Sequence, residues 1–135
     1  MVPALVIEDY DDARELYVLA LQLAGFDARG AASARQALAM MQTFTPAVVI
    51  VDLSLPEQSG LDISRILRRT AVVADAIIVM VSGSSGPSYF VDAEAAGCDA
   101  ALTKPCPPDE LLGTVLALMR AKHRPTPDSV ARMAK

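Results

Sequence analysis

The chain is poor in aromatic residues and in the side chains that build disulfide frameworks or zinc sites. Of its 135 residues only 4% are aromatic, none is tryptophan, two are cysteine and one is histidine. Cys98 and Cys106 lack the C-x-x-C spacing of a zinc site or a thioredoxin-like site. A single histidine, His123, cannot build a histidine-rich metal centre. Disulfide frameworks, zinc sites, thioredoxin-like sites and histidine-rich metal centres are therefore excluded.

Positive charge and long apolar runs are also scarce. Twelve lysine and arginine residues face 16 aspartate and glutamate residues, giving a net charge of −4, which argues against direct nucleic-acid binding. We expect Arg65, Arg68 and Arg69 to form a solvated helix face instead. No apolar run reaches the ~18 residues that span a bilayer, and the N-terminus lacks the pattern of a signal peptide. We therefore expect a cytoplasmic protein without membrane contact.

What the chain does contain is the composition of one folded domain. Apolar residues make up 53% and charged residues 21%, as in ordinary globular proteins. The stretch from Lys122 to Lys135 is polar and is interrupted by Pro125 and Pro127. We therefore expect a single domain over residues 1–121, followed by a tail or linker over residues 122–135.

Five short segments are predicted to form strands. Three are continuous apolar runs, at residues 4–7, 48–51 and 77–81, which is typical of strands buried on both faces of a parallel sheet. Two weaker candidates are residues 27–31 and 99–103.

Helical patterns separate these strands. Ser33 and Gln36 have the spacing of a capping box, and Gly25 and Gly97 are stop signals. Pro87 is suited to the first turn of the fourth helix, and Pro107 and Pro108 can open the fifth. The predicted apolar helix faces are Leu16, Leu19, Ala20 and Leu23; Ala37, Met40, Met41 and Phe44; Ile63, Ile66 and Leu67; and Leu111, Leu112, Val115, Leu118 and Met119. Five β-α units in succession predict an α/β fold, (βα)5, doubly wound, with helices on both faces of a parallel sheet.

Chemically active side chains follow four of these strands. Glu8 and Asp9 come after the first strand, Asp52 after the third, Ser82 after the fourth and Lys104 after the fifth. The carboxyl ends of parallel strands share one edge, where ligands bind. Three neighbouring carboxylates raise one another's pKa, and a hard cation such as Mg²⁺ removes that conflict. One carboxylate could then attack phosphorus while Lys104 balances the phosphoryl charge.

Five motifs along residues 4–120 resemble the receiver domain of two-component response regulators. They are Glu8-Asp9, the segment from Asp52 to Gly60 with Pro56, Ser82-Gly83, the turn at Ala96-Gly97, and Lys104-Pro105. Each motif alone is weak, but all five in order and at domain spacing are specific. The resemblance implies a flavodoxin-like, five-stranded sheet with strand order 2-1-3-4-5.

The resemblance also implies a role for each site residue. Asp52 resembles the phospho-acceptor, with Ser82 and Lys104 contacting the phosphoryl group. Mg²⁺, or alternatively Mn²⁺, would be held by Asp9 directly, by Glu8 through water, by Asp52 and by the backbone carbonyl of Ser54. Structural roles are implied for Pro56, Gly60, Gly83 and Pro105, with Gly83 leaving the acceptor open and a cis bond before Pro105.

The function implied is that of a signalling module in a phosphorelay. A sensor histidine kinase or a phosphotransfer protein would supply the phosphoryl group, and an output protein, not identifiable from sequence, would respond to it. The chain would catalyse only its own phosphorylation and dephosphorylation. We expect a monomer, or a weak homodimer formed through helix 4, strand 5 and helix 5.

One departure from the family pattern keeps an alternative open. The family has an aromatic residue in strand five, three positions before the lysine, where this chain has Ala101. The alternative is therefore a pseudo-receiver that binds partners without a phosphorylation switch. A flavin-binding protein or a haloacid-dehalogenase-type phosphatase fits poorly, since the first loop is acidic and position 54 is serine.

Overall fold

A computed structural model describes residues 1–84, 86–122 and 124–127 of the chain. Strands and helices alternate as the sequence predicts. Their order is β1 (Pro3–Ile7), α1 (Asp11–Leu23), β2 (Asp27–Ala31), α2 (Ala34–Met40), β3 (Val48–Asp52), α3 (Gly60–Arg69), a 3₁₀ turn (Ala71–Val73), β4 (Ile77–Ser82), α4 (Pro87–Ala95), β5 (Ala100–Thr103) and α5 (Pro108–Ala121). Within the described ranges, no helix is both long and apolar enough to cross a membrane.

The five strands form one parallel sheet in the order β2-β1-β3-β4-β5, which confirms the predicted architecture. Ile7 pairs with Val51, and Ser82 pairs with Thr103. This register ends β1, β3, β4 and β5 at nearly the same level. The residues that follow them are consequently brought to one edge of the sheet.

Two apolar clusters cover the two faces of this sheet. Val6, Ile50 and Val79 pack with α1 and α5 on one face. Their neighbours in sequence, including Ile7 and Met80, pack with α2, α3 and α4 on the other. Successive side chains of a strand point to opposite faces, so a strand covered on both sides must be apolar throughout. This requirement explains the continuous apolar runs in β1, β3 and β4.

The buried face of α1 differs from the predicted one. Leu16, Leu19 and Leu23 are 50%, 51% and 77% exposed, whereas Tyr17 and Leu21 are buried. Both sets have helical spacing and lie on adjacent stripes, so periodicity alone does not choose between them. Tyr17 can be buried because its hydroxyl donates to the carbonyl oxygen of Cys106 at 2.9 Å. The predicted apolar face is therefore wrong for these three leucines.

The start of α2 follows the prediction more closely than its end. Ser33 Oγ accepts the backbone N–H of Gln36 at 3.1 Å, and Gln36 Oε1 accepts the N–H of Ala32 at 2.7 Å. The return bond thus reaches one residue further back than in an ideal capping box. Because α2 ends at Met40, Phe44 lies beyond the helix, buried, with the Arg29 guanidinium 4.2 Å from its ring centre.

Arg68 is not part of a solvated face, contrary to expectation. Its guanidinium donates to the carbonyl of Gly97 and to the carboxylate of Asp99, both at 2.8 Å, and to two carbonyls near the 3₁₀ turn. Lys122 approaches the other oxygen of Asp99 at 2.7 Å. This network ties α3, β5 and the end of α5 together, at the edge of the sheet opposite the candidate site. Arg65 and Arg69 are exposed, as expected.

The first residues of the expected tail contact the domain. The N–H of Arg124 donates to the carbonyl of Met119 at 2.7 Å, and its guanidinium donates to the carbonyl of Asp75. Pro127 is buried. His123 and residues 128–135 lie outside the described residues, so the proposed boundary at residue 121 stays a prediction.

The two faces of α1 can be compared by mutation. We expect Leu21→Ala to lower the free energy of unfolding by about 2–5 kcal/mol, because its side chain is 1% exposed. Leu23→Ala should change it by less than about 0.5 kcal/mol, since that side chain is 77% exposed. Urea denaturation followed by circular dichroism measures both. Equal losses in the two variants would contradict the observed orientation of α1.

Candidate functional site

The backbone ladder continues past the strands and positions the residues of the site. The N–H of Glu8 donates to Ala31 at 3.0 Å, and the N–H of Lys104 donates to the carbonyl of Ser82 at 2.7 Å. Asp52 is itself the last residue of β3. The side chains are thus fixed by sheet hydrogen bonds rather than by flexible loops, which gives them defined positions.

Three carboxylates meet at this edge. One oxygen from each of Glu8, Asp9 and Asp52 lies within 4.8 Å of the others. Glu8 is 3% exposed and Asp52 is 8% exposed, while Asp9 is open to solvent. Glu8 Oε2 is buried without a hydrogen-bond partner among the described residues. A buried carboxylate oxygen without a partner is costly, so this donor set fits a metal ion that would complete its coordination.

Lys104 supplies the nearest positive charge to this acidic cluster. Its Nζ lies 2.6 Å from Glu8 Oε1 and 3.5 Å from Asp52 Oδ2, so its shorter contact is with Glu8. Burial raises the pKa of Glu8, and the Asp52 carboxylate raises it further, while Lys104 opposes both. Burial would lower the pKa of Lys104, but the two carboxylates outweigh this and raise it. The lysine is therefore a protonated counter-ion.

The loop after β3 holds Asp52 closely. The N–H of Ser54 donates to Asp52 Oδ1 at 3.3 Å, and the N–H of Gly60 donates to the carbonyl of Leu53 at 2.8 Å. A Cβ atom at position 60 would collide with the carbonyl oxygen of Asp52. Only glycine fits there, because α3 begins against the backbone of the acidic residue. Pro56 lies exposed in the same loop.

Ser82 and Gly83 form the wall contributed by β4. Ser82 is 2% exposed, and its Oγ accepts the N–H of Ser84 at 3.0 Å. The hydroxyl hydrogen is thereby left available for donation to another group. A Cβ at Gly83 would meet no atom within 4 Å, so this side of the pocket is open.

Two supporting residues escaped the sequence prediction. Arg14 Nη1 donates to the carbonyl of Glu8 at 2.9 Å and thereby holds the loop after β1. Tyr17 holds the loop after β5 through Cys106, just beyond the cis Lys104–Pro105 bond. Arg14 lies among several charged residues of α1, so no pattern distinguishes it. Tyr17, an aromatic residue in a chain that has few, could have been recognised as a candidate for burial.

Comparisons with known sequences agree with this geometry. The pattern of the family described as response regulator receiver domain matches residues 4–116. The chain is 29% identical over 116 residues to the phosphate regulon transcriptional regulatory protein PhoB of Pseudomonas aeruginosa, which covers 86% of this chain and 51% of that protein. It is 32% identical over 116 residues to the DNA-binding response regulator MtrA of Mycobacterium tuberculosis, which covers 86% and 50%. The chain thus spans about half the length of these curated relatives.

Comparisons with solved structures give the same result for the fold. The chemotaxis response regulator CheY4 of Vibrio cholerae superposes with a TM-score of 0.81 at 28% identity, covering 87% of this chain and 98% of that one. A putative response regulator from Chloroflexus aurantiacus superposes with a TM-score of 0.82 at 28% identity, covering 88% and 98%. The fold is therefore the CheY-like form of the flavodoxin fold.

The role of Lys104 as counter-ion to Glu8 can be tested through pH. In EDTA at about pH 7, Lys104→Met should lower the free energy of unfolding by about 1–3 kcal/mol, because a buried carboxylate loses its partner. Burial already raises the folded-state pKa of Glu8 above the ordinary value of 4.5, so proton binding favours the folded state as the pH falls. The deficit should therefore shrink towards about pH 5.

Lys122→Met is the matched control for this experiment. Burial would raise the pKa of Asp99, but Lys122, the N–H of Ile78 and Arg68 outweigh it and hold that pKa below 3.8. In Lys122→Met, Arg68 and the N–H of Ile78 still contact the Asp99 carboxylate. We therefore expect Asp99 to stay ionised between about pH 5 and pH 7 and the deficit of this variant to be constant there. A Lys104→Met deficit that is equally constant would contradict the assignment.

Proposed function

We propose that this chain, which belongs to the response regulator receiver domain family, accepts a phosphoryl group from phosphohistidine on Asp52. The donor would be a sensor histidine kinase or a phosphotransfer protein, and the product would alter contacts with an output protein. The observation that supports this function best is the position of Asp52. Its carboxylate ends a central strand, inside a cluster with Glu8 and Asp9 and within 3.5 Å of Lys104.

The proposed step is a displacement at phosphorus. An oxygen of the Asp52 carboxylate attacks, a P–O bond forms, and the P–N bond to the donor imidazole breaks with its electron pair returning to nitrogen. Hydrolysis of the resulting acyl phosphate restores Asp52 and releases phosphate. The chain thus acts on itself alone, which agrees with a family that is generally non-catalytic apart from self-phosphorylation.

Mg²⁺ is the metal we propose for the acidic cluster, with Mn²⁺ as a possible substitute. When bound, it would neutralise the carboxylates and stabilise charge on the phosphoryl oxygens. Asp9 and Asp52 would hold it, together with Glu8 and the backbone carbonyl of Ser54. The unpartnered Oε2 of Glu8 supports this assignment, because it is a buried oxygen that lacks any other donor in the described ranges.

Lys104 and Ser82 would stabilise the phosphoryl group once it arrives. Lys104 pairs chiefly with Glu8, at 2.6 Å. A cation at the cluster and new negative charge at Asp52 would both favour movement of the Lys104 ammonium group from Glu8 to the phosphoryl oxygens. Ser82 can donate its hydroxyl hydrogen there, since its oxygen already accepts from Ser84.

The second candidate function is a pseudo-receiver. Ala101 favours it, because this half-buried side chain is too small to swing between pockets as an aromatic ring could. The complete acid set, with Lys104 facing it, opposes it. A pure interaction module has no need of an unpartnered buried carboxylate oxygen, so we place it second.

The phosphoryl donor is proposed to dock on the exposed stripe of α1, defined as Leu16, Leu19 and Leu23. The histidine of the donor must reach Asp52 in the acidic cluster. Because α1 begins two residues after Asp9, a protein bound at this cluster also covers the start of α1. Exposed leucines at helical spacing match an apolar helix face of a partner. The exposed acids Asp12 and Glu15 beside the stripe favour a donor with basic residues at the rim.

Three further expectations remain proposals. The receiver unit spans residues 1–121, it works in the cytoplasm, and it is a monomer or a weak homodimer. Self-association would use α4, β5 and α5, where Phe90 and Val91 are 46% and 62% exposed.

Phosphorylation itself is the first prediction of this function. Acetyl phosphate with Mg²⁺ should add one phosphoryl group to the wild-type chain, read as intact-protein mass, and none to Asp52→Asn or in EDTA. Asp9→Asn should raise the Mg²⁺ concentration required, because it removes a proposed ligand. Asp12→Asn is its matched control and should behave as wild type, since Asp12 is an exposed residue of the first turn of α1.

A small donor can fail for reasons unrelated to the acceptor, so beryllofluoride provides a second measurement. If acetyl phosphate adds no mass and beryllofluoride with Mg²⁺ does not raise the melting temperature, the pseudo-receiver replaces the proposed function.

Docking of the donor on α1 predicts that mutations of this surface slow phosphoryl transfer from a kinase. Purified, phosphorylated histidine kinases are first screened for transfer to the wild-type chain. Leu16→Gln combined with Leu19→Gln should slow transfer from an active kinase about tenfold or more, because two apolar contacts are lost. Labelling by acetyl phosphate should be unchanged. Val72→Gln, at a 72% exposed apolar residue elsewhere, is the control, and an equal loss there would refute the α1 surface.

A further inference from the structure

Helix α4 is attached to the domain by few buried side chains. Tyr89 and Ala93 are its buried residues, while Phe90 and Val91 are 46% and 62% exposed. Its N-cap residue is Gly86, which has no side chain that could cap the helix. A helix that buries so little apolar surface belongs to the less stable part of a domain, so its position depends on each remaining contact.

The largest of these contacts is made by Tyr89, and it reaches the strands of the functional site. The side chain is 6% exposed, and its hydroxyl donates to the carbonyl of Leu102 in β5 at 2.9 Å. The same hydroxyl lies 3.4 Å from the carbonyl of Met80 in β4. Leu102 and Met80 stand two residues before Lys104 and Ser82 on their strands, so α4 is bonded to the backbone that carries both groups.

The hydroxyl also lies in the electric field of the acidic site. Burial raises the pKa of Tyr89 to about 12, with further contributions from Cys98 and from the Asp52 carboxylate. A change of charge at Asp52 therefore acts on this hydroxyl directly as well as through the backbone.

We propose that Tyr89 is a positioning residue that couples occupancy of the Asp52 pocket to the position of α4. The inference rests on the proposed function and adds the route by which occupancy of that site is transmitted to α4. A phosphoryl group at Asp52 draws Lys104 away from Glu8 and accepts a hydrogen bond from the Ser82 hydroxyl. These movements shift the ends of β4 and β5, and Tyr89 transmits the shift to α4.

The structure provides the space for such a movement. A groove of about 370 Å³ lies between α4 and β5, and its lining includes Phe90, Ala93, Cys98 and Ala101. Ala101 stands where the sequence resemblance led us to expect an aromatic ring, and its small side chain leaves this groove open. Tyr89 and Ala101 belong to the same apolar cluster, so an aromatic contact between α4 and β5 is present but originates from the helix.

Hydrogen exchange measured by mass spectrometry tests this coupling. The full chain is compared with and without beryllofluoride and Mg²⁺, as wild type and as Tyr89→Phe, which keeps the ring and removes the hydroxyl. Without ligand, peptides of α4 should exchange about fivefold faster in Tyr89→Phe, as loss of one hydrogen bond implies. Beryllofluoride should change α4 exchange in wild type, and this response should be lost in the variant.

Tyr17→Phe is the matched control. Tyr17 is also buried and also donates to a backbone carbonyl near the site, but it lies on α1, against the other face of the sheet. Its variant should keep the α4 response of wild type. If it loses that response as Tyr89→Phe does, the coupling is not specific to Tyr89 and the inference is overturned.

Melting temperature separates failure of the coupling from failure of the proposed function. If beryllofluoride raises the melting temperature of wild type and of Tyr89→Phe, while α4 responds alike in both or in neither, the coupling is overturned and the proposed function stands. If acetyl phosphate adds no mass and beryllofluoride leaves the wild-type melting temperature unchanged, the proposed function is overturned and the coupling with it. If only acetyl phosphate acts, it replaces beryllofluoride in the exchange measurement.

Discussion

The constraint on which the structure depends is the close approach of three carboxylates at one edge of the sheet. Glu8, Asp9 and Asp52 bring oxygens within 4.8 Å of one another, and two of these residues are almost fully buried. Repulsion and loss of hydration both oppose this arrangement. Lys104 offsets only part of it, because its closest contact, at 2.6 Å, satisfies one oxygen of Glu8 and leaves the other unpartnered. The cluster is thus held together by the sheet and is available to a cation.

The two edges of the sheet contain charged groups in contrasting environments. At the far edge, Asp99 accepts from Arg68 and from the N–H of Ile78, both at 2.8 Å, and lies 2.7 Å from Lys122. These contacts pair the charges, and Gly97 leaves room for Arg68, since a Cβ there would approach its side chain closely. At the candidate site the acidic groups outnumber the nearby cation. The far edge, around Asp99, therefore contributes stability. The edge with the candidate site retains unsatisfied charge, and a ligand gains most from binding at such a place.

The sequence predicts the sheet well and the helix surfaces less well, for a physical reason. Strands covered on both faces must be apolar throughout, so β1, β3 and β4 are evident, and the polar residues that follow them mark the site. A helix has only one buried face, and where two adjacent stripes are apolar, as in α1, packing decides. Tyr17 can be buried because the backbone carbonyl of Cys106, 89 residues away, accepts a hydrogen bond from its hydroxyl, and no local pattern contains that partner. The solvated position predicted for Arg68 was wrong for the same reason, since its acceptors Gly97 and Asp99 lie on other elements. The hydrogen bond of Tyr89 to Leu102 is equally absent from any local pattern.

The proposed input and output surfaces are separated because the sheet has two faces. Helix α1 packs on one face with α5, while α4 packs on the other with α2 and α3. The leucine stripe of α1 and the exposed residues Phe90 and Val91 therefore belong to helices on opposite sides of the central sheet. If the donor binds α1 as we propose, α4 stays free for a second protein, so phosphorylation and read-out would not compete. Under this proposal, communication between the two faces passes through the ends of β4 and β5, where Lys104 pairs with Glu8 and Asp52 and where the Tyr89 hydroxyl donates to the carbonyl of Leu102.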